Sequence, residues 1–246
     1  TQLPSSTDFL VYKPNDIAAQ LTLLFFDRYR RIEVQECLGQ GWSKKGGQAN
    51  AQSPWITATI DLFNQMSSAV QGCLLQTKEL SDRQRLLQLF LVVAQQMFTL
   101  NNFLGAMAIH SALNTFQVRR LTKTWQSLSD KHQRYWQNLS DVLSHRENFG
   151  LLRYHSTHAK APQIPYLGMY LRDITFLEDG GPLRKEVEFR VGSGGGGGER
   201  TKNASKQLIN YQRLTSISRV VRKLLLGRFR SYQMRADEEL QGKLIH

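Results

Sequence analysis

The sequence is poor in the features that mark several large protein classes. Its two cysteines, Cys37 and Cys73, are too few for a disulfide framework, and neither belongs to a C-x-x-C pair that would hold zinc. This usage suits a reducing compartment, and the chain is expected in the cytoplasm. No run of about 18 apolar residues exists, so no transmembrane segment is expected, and no charged-then-apolar leader opens the chain. Strand-like alternation is nearly absent; only Val187 to Val191 shows it, weakly. No internal repeat of about 30–45 residues is visible. None of the six histidines sits in an H-E-x-x-H motif or beside a nucleophile motif. His155 and His158, three apart, supply two ligands where a metal site needs more, and they read as surface polar residues. The glycine run from Gly192 to Gly198 lacks the G-K-[ST] ending of a phosphate-binding loop. Neither metal nor cofactor is implied.

With 41% apolar and 10% aromatic residues, 246 residues suffice for one large domain with a true core. A first residue of Thr1 rather than Met suggests a domain excised from a longer protein. The formal charge of +12 is uneven: residues 184–246 hold 14 Lys and Arg against 6 Asp and Glu. Such a patch suits nucleic acid, anionic lipid or an acidic partner, and equally a solvated helix face.

Helical periodicity dominates. Asn15 is placed to cap a helix through Ile17, Leu21, Leu24, Phe25 and Tyr29. The stretch Trp42 to Asn50 is a polar loop. Ser53-Pro54 reads as N-cap plus proline at the first helical position, opening a helix through Ile56, Ile60, Phe63 and Val70. Ser81 and Gln84 match a capping box ahead of Leu86 to Leu100, which is apolar nearly all round and so belongs inside a bundle. Phe103 to Asn114 and Trp125 to Leu143 continue the pattern. Tyr166 to Gly180 and the segment from about 208 to 231 are amphipathic, with Gly180-Gly181-Pro182 ending the first. The expected fold is all-α, a single helical bundle with a protruding helical hairpin. Leu183 to Lys206, with its glycine run, is expected to be a flexible tip, either natural or an engineered linker.

Four stretches resemble one family, the Ras-type guanine nucleotide exchange factors with a Cdc25-homology domain. Asp16-Ile17-Ala18-Ala19-Gln20-Leu21-Thr22-Leu23 is similar to that family's opening helix. Leu100-Asn101-Asn102-Phe103, Ala112-Leu113-Asn114 and Val118-Arg119-Arg120-Leu121 resemble its central segment. Ile164-Pro165-Tyr166-Leu167-Gly168-Met169-Tyr170-Leu171-Arg172-Asp173-Ile174-Thr175-Phe176 resembles its first hairpin helix, and Leu208-Ile209-Asn210-Tyr211 its "LINF". They stand in the family's order, and the resemblance runs from residue 16 to about 235. It implies a lead-in over 1–15, an exchange domain over 16–246, and a Ras-, Rap- or Ral-type GTPase as partner. It implies no covalent chemistry, and recruitment to membranes through other parts of a longer protein; no nucleic-acid partner is expected.

The resemblance also assigns residues. Met107, Ser111 and Asn114 share a helix face at i, i+4 and i+7. Positions matching Met107 and Asn114 would contact switch 2 of the GTPase, although Met107 also suits a core and Asn114 a C-cap. Asn148, Phe149 and Tyr166 are carried over as GTPase-binding positions. The hairpin would wedge switch 1 from the nucleotide. Asp179, preceded by Glu178, would bring a carboxylate toward the phosphate and Mg²⁺ site. Thr175 occupies a position where some members carry leucine. A carboxylate pair at a helix C-terminus is disfavoured by the macrodipole; solvation of the helix end is its bland account. The rival class is an adaptor of the same fold that holds a GTPase without opening it.

Overall fold

The computed structural model describes residues 8–44, 51–181, 184–191 and 202–245. Helices α1 (Pro14–Tyr29), α2 (Pro54–Gln76), α3 (Leu80–Thr99) and α4 (Phe103–Leu113) form the bundle. Short helices α5 (Phe116–Arg119) and α6 (Thr122–Gln126) lead into α7 (Asp130–Val142) and α8 (Gly150–His158). The arm follows: α9 (Leu167–Asp179), strands β1 (Arg184–Val191) and β2 (Lys202–Ile209), and α10 (Tyr211–Leu225). Helix α11 (Glu238–Ile245) closes against α1. The fold is an all-α bundle carrying one antiparallel ribbon.

Apolar side chains decide the layering. Helix α3 is surrounded by α1, α4, α6 and α7, and buries Leu86, Leu87, Phe90, Leu91, Val93, Ala94 and Met97. Helix α4 lies deeper still: every residue from Phe103 to Leu113 except Ser111 is buried. A helix that apolar is stable only when enclosed on all sides. Asn102 caps it, accepting from Gly105 N at 2.9 Å and donating to Thr22 Oγ1 of α1 at 3.1 Å.

Helix starts differ from the expected caps. Pro14 takes the first helical position of α1, so Lys13, extended as a residue before proline must be, is the N-cap and Asn15 lies inside. Pro54 opens α2 as expected, yet the Ser53 hydroxyl donates to Glu36 O at 3.0 Å rather than capping. The free amides of that turn, Trp55 N and Ile56 N, donate to the Glu36 carboxylate at 2.7 and 3.1 Å. Helix α3 starts two residues early, at Leu80, because Arg83 N already bonds Glu79 O at 3.1 Å; Ser81 is inside its first turn. The expected helix from Trp125 to Leu143 is broken at residues 127–129, where Ser127 Oγ bonds Thr124 O at 2.7 Å, a local bond that competes with helix continuation.

The arm corrects the expected flexible tip. Residues 184–191 and 202–209 pair antiparallel, with Arg184 opposite Ile209 and Val191 opposite Lys202. Each segment satisfies the other's backbone polar groups, which neither could do alone. The glycine run Gly192 to Gly198 lies outside the described residues. Pairing through Ile209 also delays the second helix to Tyr211, where the Asn210 side chain accepts from Arg213 N at 3.3 Å. Helix α9 ends as expected, with Gly181 at φ +121°, a conformation that glycine adopts without a steric penalty.

Candidate functional site

Helix α9 is two-faced. Leu167, Tyr170, Leu171 and Ile174 are buried, several against α10. Arg172, Phe176 and Asp179, at i, i+4 and i+7, are exposed along the opposite stripe. Phe176 is 69% exposed, a large apolar ring that falls off the buried stripe. It was not among the expected site residues; its departure from the period of its own helix is the signal that marks it. Thr175 is half-buried beside it, its hydroxyl donating back to Leu171 O at 3.0 Å.

The distal end of α9 is tied down. Gly39 N donates to Glu178 Oε1 at 2.8 Å and Gln40 Nε2 to Asp179 Oδ1 at 2.9 Å. Gly39 and Gln40 both adopt positive φ, presenting these donors from a tight turn. From α10, the buried Arg213 guanidinium donates to the carbonyls of Leu177 and Glu178. Those carbonyls lack helical partners, and a cation is what the negative end of a helix favours. The macrodipole misfit of two acids at this terminus is thus offset by one arginine.

The proximal end gathers three expected residues. Glu147, Asn148 and Phe149 have φ of 49°, 55° and 61° in succession, left-handed positions that cost about 1–3 kcal/mol each unless the surroundings enforce them. Here they are enforced. Arg153 Nε donates to Asn148 O at 2.8 Å, Arg172 donates to the Asn148 side chain, and Arg153 pairs with Asp173 of α9 at 2.7 Å. Phe149 is buried between His145, whose ring lies at 4.5 Å, and Tyr166 at 5.5 Å, with the Arg172 guanidinium over its face at 5.2 Å. Tyr166 also meets Phe63 of α2 at 6.2 Å. A Cβ at residue 168 would stand 2.6 Å from the Tyr166 hydroxyl, so Gly168 leaves room for that ring. Burial pushes the Tyr166 phenol up. Asn148 is exposed, and Phe149 and Tyr166 support the loop that presents it.

Met107 and Asn114 separate. Met107 is 3% exposed and belongs to the core, while Asn114 is exposed at the C-cap of α4 with φ −88° and ψ 1°. It takes the cap position expected of it, but by its backbone amide, which bonds His110 O; its side chain makes no hydrogen bond among the described residues. Two residues on, Phe116 is 71% exposed with Arg120 over its ring at 5.2 Å. Arg119 stacks on Trp125 at 4.3 Å and on Trp136 at 5.2 Å. This aromatic and cationic surround of Asn114 was not anticipated from sequence; it assembles from α5, α6 and α7. Beneath it His110 stacks on Trp136 at 5.0 Å and reaches Ser140 Oγ at 3.2 Å; burial, then the charge of His145, lowers its pKa to about 4.

Among the described residues no three His, Cys, Asp or Glu are grouped to hold a metal, and no helix is long and apolar enough to cross a membrane. His158 bonds the Tyr154 carbonyl at 2.8 Å, and His155 packs on Phe98 at 5.3 Å. Burial pushes the Cys37 thiol up to about 12 and Cys73 to about 11, away from nucleophilic reactivity.

The comparisons with known proteins agree with one another. The RasGEF domain family model matches residues 16–215. Over 180 residues, 72% of this chain, it is 39% identical to Ras guanine nucleotide exchange factor E of Dictyostelium discoideum, covering 17% of that protein. Over 239 residues, 97% of this chain, it is 30% identical to Ras-specific guanine nucleotide-releasing factor 2 of Mus musculus, covering 18% of that protein. The chain therefore spans under a fifth of the length of these curated relatives.

Proposed function

This chain belongs to the RasGEF domain family, and we propose that it is a guanine nucleotide exchange factor for a Ras-family small GTPase of Ras, Rap or Ral type. The observation that carries the reading is the arm: a two-helix projection, clamped at both ends of α9, whose stripe of Arg172, Phe176 and Asp179 stays exposed, with the Phe176 ring free of the buried face. Such an arm can enter a partner without disturbing the core. The exchange domain is taken as residues 16–246, with 1–15 as its lead-in. It acts in the cytoplasm, and other parts of a longer protein add recruitment to membranes.

The chemistry is linkage, not bond making. A protein that prefers the nucleotide-free GTPase weakens nucleotide binding by the same factor, and about 1.4 kcal/mol of preference is tenfold. In this reading Asn114, with Phe116 beside it, holds switch 2. Met107 supports that helix from within the core, and the Asn148, Phe149 and Tyr166 cluster seats the GTPase at the base of α9. Thr175 and Phe176 displace switch 1 sterically. Asp179 and Glu178 approach the phosphates and Mg²⁺ of the GTPase, where negative charge disfavours retention of the nucleotide.

The adaptor reading has one observation in its favour: Glu178 and Asp179 are already engaged by Gly39 and Gln40. Release of a fluorescent nucleotide from a panel of small GTPases separates the two. Acceleration for at least one Ras, Rap or Ral GTPase, with Rho and Arf types unaffected, is the expected result. Binding of a nucleotide-free GTPase with no acceleration anywhere in the panel establishes the adaptor. Neither binding nor acceleration would sink both.

A further inference from the structure

The basic excess at the end of the chain has a shape that exchange does not use. Between residues 207 and 236 stand seven Lys and Arg and no Asp or Glu. In α10, Arg213 is consumed as the clamp on α9. The others lie elsewhere. Arg219, Arg222, Lys223 and Leu226 fall at i, i+3, i+4 and i+7, and all four are exposed. Leu226 is 51% exposed, and Phe229, three residues on, is 74% exposed with Arg230 beside it. The inner face of the same helix, Ile217, Val221, Leu224 and Leu225, is fully committed to the core.

Arg228 links this patch to the turn that follows α1. Arg228, half-buried, donates to the Ile32 carbonyl and joins Arg30, Arg31 and Trp55 around an open pocket of about 590 Å³. Arg31 stacks on Trp55 at 4.7 Å. Carboxylates are few here: Asp27 pairs with Arg30 at 2.9 Å and Arg31 at 3.1 Å, and Glu33 lines the pocket. Cations therefore remain in clear excess over the whole face.

A merely solvated face explains the arginines but not two large exposed apolar side chains among them. Apolar groups flanked by cations gain from both regions of a lipid interface, the acyl boundary and the anionic headgroups. We propose that the outer face of α10 with the 3₁₀ turn Leu226–Phe229 docks on an anionic membrane surface, Leu226 and Phe229 inserting while Arg219, Arg222, Lys223 and Arg230 meet the headgroups. The charge complementarity commits it to phosphatidylserine-type bilayers, and the docking does not depend on exchange activity.

Sedimentation of the chain with vesicles tests this at physiological ionic strength. Binding to phosphatidylcholine vesicles containing phosphatidylserine, and none to phosphatidylcholine alone, is expected. Replacing Arg222, Lys223 and Arg230 together by serine should lower the partition coefficient about a hundredfold, since each cation near an anionic surface counts for several-fold. The pair Leu226→Ser and Phe229→Ser should lower it by about tenfold or more. Thermal melts of both variants show that they remain folded. Equal binding to both vesicle types, no binding to either, or variants that bind like the original protein would overturn the proposal. Capture of polyglutamate by the same residues, without vesicle binding, would overturn it in favour of an acidic protein partner.

Discussion

Helix α4 buries ten of its eleven residues, while α10 buries five of fifteen. The bundle is held mainly by enclosure: its helices turn apolar side chains to their neighbours, with polar bonds such as Asn102 to Thr22 and Gln20 to Arg235 added between them. The arm is held by a small number of specific ties, among them Arg213 on the end of α9, Glu178 and Asp179 on the turn at Gly39 and Gln40, and Tyr29 Oη donating to Leu224 O at 2.6 Å. Enclosure tolerates little movement, because a shift opens cavities. Ties of this kind let an amphipathic pair keep one face wet and available. In the proposed reading the bundle gives support and the arm works on the GTPase.

The most severe break in that division is a charge reversal at the working end. Asp179→Lys should slow nucleotide release by well over tenfold while affinity for nucleotide-free GTPase falls much less, because a lysine beside the phosphates attracts what the carboxylate repels. Gln40→Ala removes the same tie without adding charge and should leave release near normal. Equal losses in the two variants, measured as release rates, would show that Asp179 acts only as a tether.

In the bundle the corresponding break is acid. His110 is held neutral, its pKa lowered to about 4 by burial and then by His145. Above about pH 6.5 neither folded nor unfolded chain protonates this group, so its stability contribution is fully present. As pH falls toward 4 the unfolded chain takes the proton first, and stability declines by about 3 kcal/mol. His110→Phe should flatten the melting temperature between pH 6.5 and 4 relative to the original protein. An unchanged slope would assign acid sensitivity to other groups.

In the proposed reading Asn114 lies where the bundle meets the GTPase. Its exposed side chain supports no cap, so Asn114→Ala should reduce exchange about tenfold or more, about 1.4 kcal/mol, at nearly unchanged melting temperature. Loss of exchange in step with loss of folded protein would remove it from the interface.

Sequence reasoning reached the two regions unequally, for the same physical reason that they differ. Enclosed helices carry their periodicity in their own residues, so α1 to α4 were readable, as were Pro54 at the start of α2 and Gly181 after the end of α9. The cap of α2 was not, because Glu36 reaches it from outside the helix. The ribbon was hidden because Lys202–Ile209 has no alternation of its own and is a strand only when paired. Glu178 and Asp179 stood out as acids at the wrong helix end, yet their partners are 139 residues away in the chain. Phe176 went unnoticed because an apolar residue in an amphipathic helix reads as core until the helix is turned.

The smallest expected effect is the most discriminating for the joint between the regions. Tyr29 is fully buried in α1, and its hydroxyl donates to the Leu224 carbonyl in the last turn of α10. Tyr29→Phe keeps the ring and its packing on Phe26 and removes one buried hydrogen bond, at a cost of about 1–2 kcal/mol. Two measurements say where that cost appears. If bundle and arm unfold as one unit, the global melting temperature falls and amide exchange quickens in α4 and α10 alike. If the arm opens on its own, amides of α10 lose protection while α4 keeps its own and the melting temperature scarcely moves. The second result is favoured because α9 and α10 pack chiefly on each other, even though their inner faces join the core of the bundle. A uniform loss across both helices would show that the arm is an extension of the core.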